Sequence, residues 1–169
     1  MLLYLAAVTD DPTEHSLWRP LRQLLDVMDA DIARVYARAQ VDDLKPTWVM
    51  ELLRLHARGP MTIAELAKSV HRTHSAMSQK VAAMRAAGWV RTTAGADARS
   101  KLVTLTRKAE RAVPRLAAEW RATEASIAEL EAEIPYPLSR VVTDISAALA
   151  RRSFSDRIAE KLANDPNWH

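Results

Sequence analysis

The sequence predicts a mainly α-helical protein with one small β-hairpin, on three observations. Apolar residues recur at three- and four-residue steps over most of the 169 positions, which is the helical period. There are three glycines, Gly59, Gly88 and Gly95, too few to supply the positive-φ turns of a multi-stranded sheet. Two β-branched runs, Trp89–Thr93 and Lys101–Leu105, alternate with period two and flank a polar loop, 94–100, that contains a glycine. The length suits one domain, or one domain with a helical appendage. The 49% hydrophobic content excludes a disordered chain. With 0 Cys there is no disulfide framework, thiol nucleophile or thiolate metal site. The longest apolar run, Met1 to Val8, is far too short to span a bilayer and has no basic residues before it. A soluble, cytoplasmic protein without membrane partners is expected.

The elements follow in order. Leu17, Leu21, Leu24, Leu25, Met28, Ile32, Val35 and Tyr36 form one stripe on a long helix that Ser16 could cap, with Pro20 tolerable only in the first turn. A polar break from Gln40 to Lys45 precedes Pro46, which suits the first position of a second helix. That helix carries Trp48, Val49, Leu52 and Leu53 inward and stops at Gly59-Pro60. Thr62-Ile63-Ala64-Glu65 is a capping box that opens a short helix burying Ile63, Leu66, Ala67 and Val70. After His71-Arg72, Thr73 caps a further helix with Met77, Val81 and Met84 inward and Gly88 at its end. Two short helices joined by about three residues fit a helix-turn-helix. With the hairpin appended, the fold is a winged helix-turn-helix.

The remainder is helical again. Val113, Leu116, Trp120, Thr123, Ile127, Leu130 and Ile134 repeat every 3.5 residues, a seam for packing on another helix, with Pro114 expected to kink its start. Pro135-Tyr136-Pro137 breaks the chain. Leu138, Val142, Ile145 and Leu149 continue on a further helix, which Ser153–Asp156 bends or restarts before Ile158 and Leu162. A compact winged helix covers only part of the first and last helices' apolar seams, so long dimerisation helices are expected at 1–43 and 112–169, flanking a winged-helix domain at 44–111. A two-fold pair buries the uncovered surface.

Charge is distributed unevenly. Residues 68–111 hold ten Lys/Arg and two acids, a net +8, whereas the other fourteen basic and nineteen acidic residues leave −5. A cationic segment on an acidic body points to a polyanion. Ser75, Ala76, Ser78, Gln79 and Lys80 fill the outer face of the second short helix. Small and hydrogen-bonding side chains of this kind can enter a major groove, Gln79 pairing with adenine and Ala76 meeting a thymine methyl. Lys80, Arg85 and Arg72 suit phosphates, which fix register. Thr73, His74 and Lys101 flank these positions and complete the expected contact set.

These stretches resemble the MarR family of bacterial winged-helix transcription regulators. Leu44-Lys45-Pro46-Thr47-Trp48 is similar to the start of the family's second helix, Met61 to Ala67 to its supporting helix, and His74 to Val81 to its recognition helix. Asp97-Ala98-Arg99 followed by Leu102 to Thr106 resembles its wing signature, the most specific of the four. His71 stands where the family commonly has glycine and Arg72 where it has an apolar residue. The resemblance implies a homodimer with interleaved terminal helices on a palindromic operator of double-stranded DNA. It also implies that Arg99 enters the minor groove with Asp97 holding its guanidinium.

Ligand-responsive members of the family bind aromatic effectors, so Trp18, Trp48, Trp89 and Trp120 could line such a cleft; the other reading places them in the core. His71 and His74 are three apart with no third ligand nearby, so no metal or cofactor is expected. There is no Gly-rich phosphate loop, nucleophile elbow or close His–carboxylate pair, so no enzyme is expected. The expectation is a transcription regulator, most simply a repressor. An architectural DNA binder without effector, or an interaction module that has lost DNA binding, are the alternatives.

Overall fold

The computed structural model describes residues 11–41, 43–94 and 101–168. The chain divides into two units at Ala117/Ala118, inside a helix. The first holds α1 (Arg19–Arg38), α2 (Val49–Arg58), β1 (Met61–Thr62), α3 (Ile63–Ser69), α4 (His74–Ala86), β2 (Val90–Ala94), β3 (Lys101–Leu105) and the first part of α5 (Arg107–Ala132). The second holds the rest of α5, α6 (Leu138–Arg151) and α7 (Phe154–Leu162).

The mainly helical winged helix-turn-helix is present. Its antiparallel sheet has the order β1-β3-β2, with Val90 opposite Leu105 and Thr92 opposite Val103. β1 was not legible in the sequence because two residues carry no period. It pairs Met61 with Val103 and Thr62 with Leu102, joining the front of α3 to the hairpin. Leu52, Leu66, Met77, Met84, Val103, Ala109 and Leu116 are completely buried at the centre of this unit. A side chain such as Leu or Met contributes about 1.5–3 kcal/mol when fully removed from water.

Several boundaries differ from expectation for local reasons. α1 begins at Arg19, not Leu17, and Ser16 offers only its carbonyl, to Arg19 N at 3.2 Å. A helix capped by Ser16 would put Pro20 where an N–H must reach back to that carbonyl; in the observed helix Pro20 falls in the first turn, where none is needed. In α2, Leu55 is buried while Leu53 and, in α3, Ile63 are only half-buried. α5 starts six residues before its apolar seam. Thr106 Oγ1 accepts from Ala109 N (3.3 Å) and donates to the Gly88 carbonyl (2.7 Å), so one hydroxyl caps α5 and holds the end of α4. Pro114 therefore lies inside a continuous helix rather than at its start.

Few glycines did not mean few left-handed residues. Gln40 (φ 54°), Asp43 (φ 58°) and His71 (φ 53°) adopt positive φ beside Gly59 and Gly88. His71 closes α3: its N–H donates to the Lys68 carbonyl (3.3 Å), and the next N–H, of Arg72, reaches the Ala67 carbonyl (2.9 Å). Gln40 and Val41 close α1 through the same pair of bonds, to Ala37 and Tyr36. Both are Schellman ends, where glycine is usual. A Cβ at left-handed φ costs about 1–2 kcal/mol, partly offset because glycine loses more entropy on folding. His71→Gly is thus expected to stabilise the chain by about 0.5–1 kcal/mol, measured by urea denaturation; an unchanged or lower midpoint would contradict it.

In the second unit, the Glu131 carboxylate accepts from the hydroxyl and the N–H of Ser139, each at 2.6 Å, pinning the start of α6. These bonds hold its pKa below the usual value, the hydroxyl contributing most. Ser153 Oγ accepts from Asp156 N (3.1 Å) and so restarts the helix as α7. No residue of α6 or α7 is buried.

Candidate nucleic-acid interface

α3 and α4 are each fixed at the N-terminus by threonine. Thr62 Oγ1 accepts from Glu65 N at 3.2 Å, and the Glu65 carboxylate accepts from Thr62 N at 2.8 Å, completing the expected capping box. That backbone bond, then the Thr62 hydroxyl, lowers the pKa of Glu65. Thr73 Oγ1 accepts from Ala76 N at 3.3 Å, as expected. Met77, Val81 and Met84 are buried along one side of α4. Arg72, Thr73, His74, Ser75, Ala76 and Gln79 are exposed, and Ser78 is half-buried. Ser75 and Gln79, four apart, lie one turn above each other. The exposed first two turns of α4 thus carry a hydroxyl, an amide, an imidazole and a methyl, with a guanidinium just before them.

One expected member of this face, Lys80, is placed elsewhere. Lys80 was expected to point outward, but its ammonium donates to Glu51 Oε1 at 2.8 Å and to the Thr47 carbonyl at 2.7 Å. It turns inward because Glu51 is 2% exposed and a buried carboxylate requires a countercharge. Glu51 escaped sequence analysis, although a signal existed. It sits three residues after Trp48 and four before Leu55, on the apolar stripe of α2. Arg85, the expected phosphate contact, is exposed about 16 Å along the helix axis from His74.

Lys101 is exposed at the start of β3 opposite Ala94, at the loop end of the hairpin. Asp97 and Arg99 lie outside the described residues.

Two of the four tryptophans are taken up by the core. Trp48 and Trp89 are core residues, 5% and 1% exposed. Trp18 is exposed ahead of α1, and Trp120 belongs to the second unit. The reason is packing: Trp89 fills the space between β2 and the α1–α2 connection, donating its indole N–H to the Asp43 carbonyl at 2.9 Å. Lys108, which sequence analysis did not single out, lies over that ring, 4.6 Å from its centroid and 3.9 Å from the Asp43 carboxylate. A concavity of about 490 Å³ opens there, lined by Gln40, Asp43, Trp89, Lys108, Arg111 and Arg115 among others. Among the described residues no group of three or more His, Cys, Asp or Glu could hold a metal, and no helix is long and apolar enough to cross a membrane.

No curated protein matches the sequence. Residues 42–100 match the model of the MarR family. Among solved structures, the chain is similar to the M. tuberculosis transcriptional regulator MOSR in complex with DNA. The two are 26% identical with a TM-score of 0.59, over 82% of this chain and 99% of that one. The S. aureus MepR–DNA complex shares the fold at 15% identity, TM-score 0.60, over 81% and 98% of the two chains. So does the transcriptional regulator SlyA, at 12% identity, TM-score 0.55, over 83% and 99%. The helix-turn-helix with its hairpin and the match over residues 42–100 agree: this segment is a winged helix similar to that of the MarR family.

Proposed function

We propose that this protein is a sequence-specific transcription regulator that binds a pseudo-palindromic site on double-stranded DNA as a homodimer, most simply as a cytoplasmic repressor that blocks polymerase. The observation that carries the reading is the exposed N-terminal half of α4, with Ser75, Ala76 and Gln79 on a helix whose opposite side is buried. Two of the similar structures, MOSR and MepR, are DNA complexes. In this reading Ser75, Ala76, Ser78 and Gln79 face bases, while Arg72, Thr73, His74 and Lys101 meet phosphates. Arg99 enters the minor groove, oriented by Asp97, as the resemblance to the family implies. Segments 1–43 and 112–169 carry the dimer, placing two α4 helices on the order of 34–36 Å apart. If a small molecule releases the DNA, the concavity beside Trp89 suits an anion, since Lys108, Arg111 and Arg115 line it.

The test is titration of a fluorescent duplex from the gene's own upstream region against random duplex at fixed salt. Gln79→Ala is expected to weaken specific binding by about 1–3 kcal/mol, the worth of one good base pairing, and to leave random-duplex binding unchanged. Equal competition by random duplex would favour the architectural reading. Binding to neither duplex at low salt would leave the interaction module.

A further inference from the structure

Lys80 follows Gln79 directly on α4, yet its charge is spent inward. Its ammonium has two acceptors, Glu51 Oε1 on α2 and the Thr47 carbonyl in the turn before it. The C-terminal end of α4 is tied by the Thr106 hydroxyl to the Gly88 carbonyl (2.7 Å) and by the Lys108 ammonium to the Ala87 carbonyl (3.3 Å), while Met77, Val81 and Met84 attach its length through apolar contacts. Apolar contacts are non-directional and tolerate a small rotation or slide of the helix. An ammonium held at 2.7 and 2.8 Å does not, because a hydrogen bond is lost by about 3.6 Å. The leverage is large: side-chain tips lie about 5–6 Å from a helix axis, so a rotation of about 10° moves the Gln79 amide by about 1 Å. The pair is also poorly arranged for stability alone. Glu51 Oε2 is buried without a hydrogen-bond partner among the described residues, and buried ion pairs often break even with apolar replacements.

We infer that Glu51 and Lys80 form a positioning pair that fixes the rotation and register of α4 on α2, so that the pair governs sequence discrimination while Lys80 itself touches no phosphate. This rests on the DNA-binding reading above.

The experiment uses the full chain with Lys80→Met, the apolar double variant Glu51→Leu/Lys80→Met, and Lys80→Arg. Four quantities are measured: the thermal midpoint, the affinity ratio of upstream to random duplex, the salt slope of random-duplex binding, and amide exchange along α4. Lys80→Met should lower the midpoint, and the double variant should recover it. Both should lose about tenfold or more of the affinity ratio, as when one base contact is misplaced. Neither should change the salt slope, and α4 amides in the double variant should exchange about tenfold faster despite the recovered midpoint.

Lys80→Arg keeps charge and fold but replaces the compact ammonium with a planar fork, so its ratio should also fall. A slope reduced by about 0.9 per lost phosphate contact would make Lys80 a DNA contact and overturn the inference. So would a double variant, or Lys80→Arg, with the wild-type ratio. If wild-type protein cannot tell the two duplexes apart, the regulatory reading falls instead. Amide exchange then decides on the pair: protected α4 amides in the double variant reject it, and accelerated ones support it.

Discussion

Trp89→Ala is expected to lower the free energy of unfolding by about 3–5 kcal/mol, the upper range for buried aromatics. Three interactions end at once. The ring is 1% exposed, so its removal leaves a cavity between β2 and the connection at Asp43. The Asp43 carbonyl loses its donor at 2.9 Å. Lys108 loses the ring face 4.6 Å away. Trp89→Phe separates these effects, since it keeps a ring but no N–H; about 1 kcal/mol of the loss should remain, the net worth of one hydrogen bond. Urea denaturation of both variants checks this. An alanine variant within about 1 kcal/mol of the wild type would show that the indole is not a core anchor, against the buried-aromatic range.

Val142→Asp is expected to abolish self-association while leaving the helices of the chain intact. Val142 is 53% exposed, and its neighbours on the α6 stripe, Leu138 and Leu149, are 37% and 38% exposed. About half of the Val142 surface faces outward, so a carboxylate there can remain in water within a single chain. In an isologous two-fold interface the same residue occurs on both sides, so a penalty of about 1.5–3 kcal/mol per buried valine is counted twice. That amounts to about two to four orders of magnitude in dimer dissociation, at 1.4 kcal/mol per decade. Sedimentation equilibrium with circular dichroism distinguishes the outcomes. A variant that stays dimeric would move the interface away from α6. A wild-type protein that sediments as a lone protomer would remove the dimer from the proposed function.

How much of the site was legible depends on how local its causes are. The capping box at Thr62 and Glu65, the cap at Thr73 and the inward set Met77, Val81 and Met84 were all read correctly, because each involves residues within one or two helical turns. The restart at Ser153 belongs to the same class. Lys80 was misplaced because its orientation depends on Glu51, 29 residues earlier, and only a folded chain brings them together. Trp48 and Trp89 were read as core sooner than as cleft, but the cleft stayed open, since helical and strand periods give the side a residue faces and not what covers it. Thr106 was missed as the cap of α5 because the apolar seam begins later, at Val113, and periodicity is silent on a helix's polar first turn.

Periodicity, capping residues and charge segregation therefore determined the element types, the winged helix-turn-helix and the cationic central third, since those follow from interactions between near neighbours in the chain. The tertiary structure alone decided that β1 joins the hairpin, that Lys108 covers Trp89, that His71 and Gln40 close their helices without glycine, and that Lys80 serves α2. These depend on contacts between distant segments, or on a backbone conformation imposed by the closing bonds around it. No local pattern encodes the desolvation of Glu51 that turns a lysine inward.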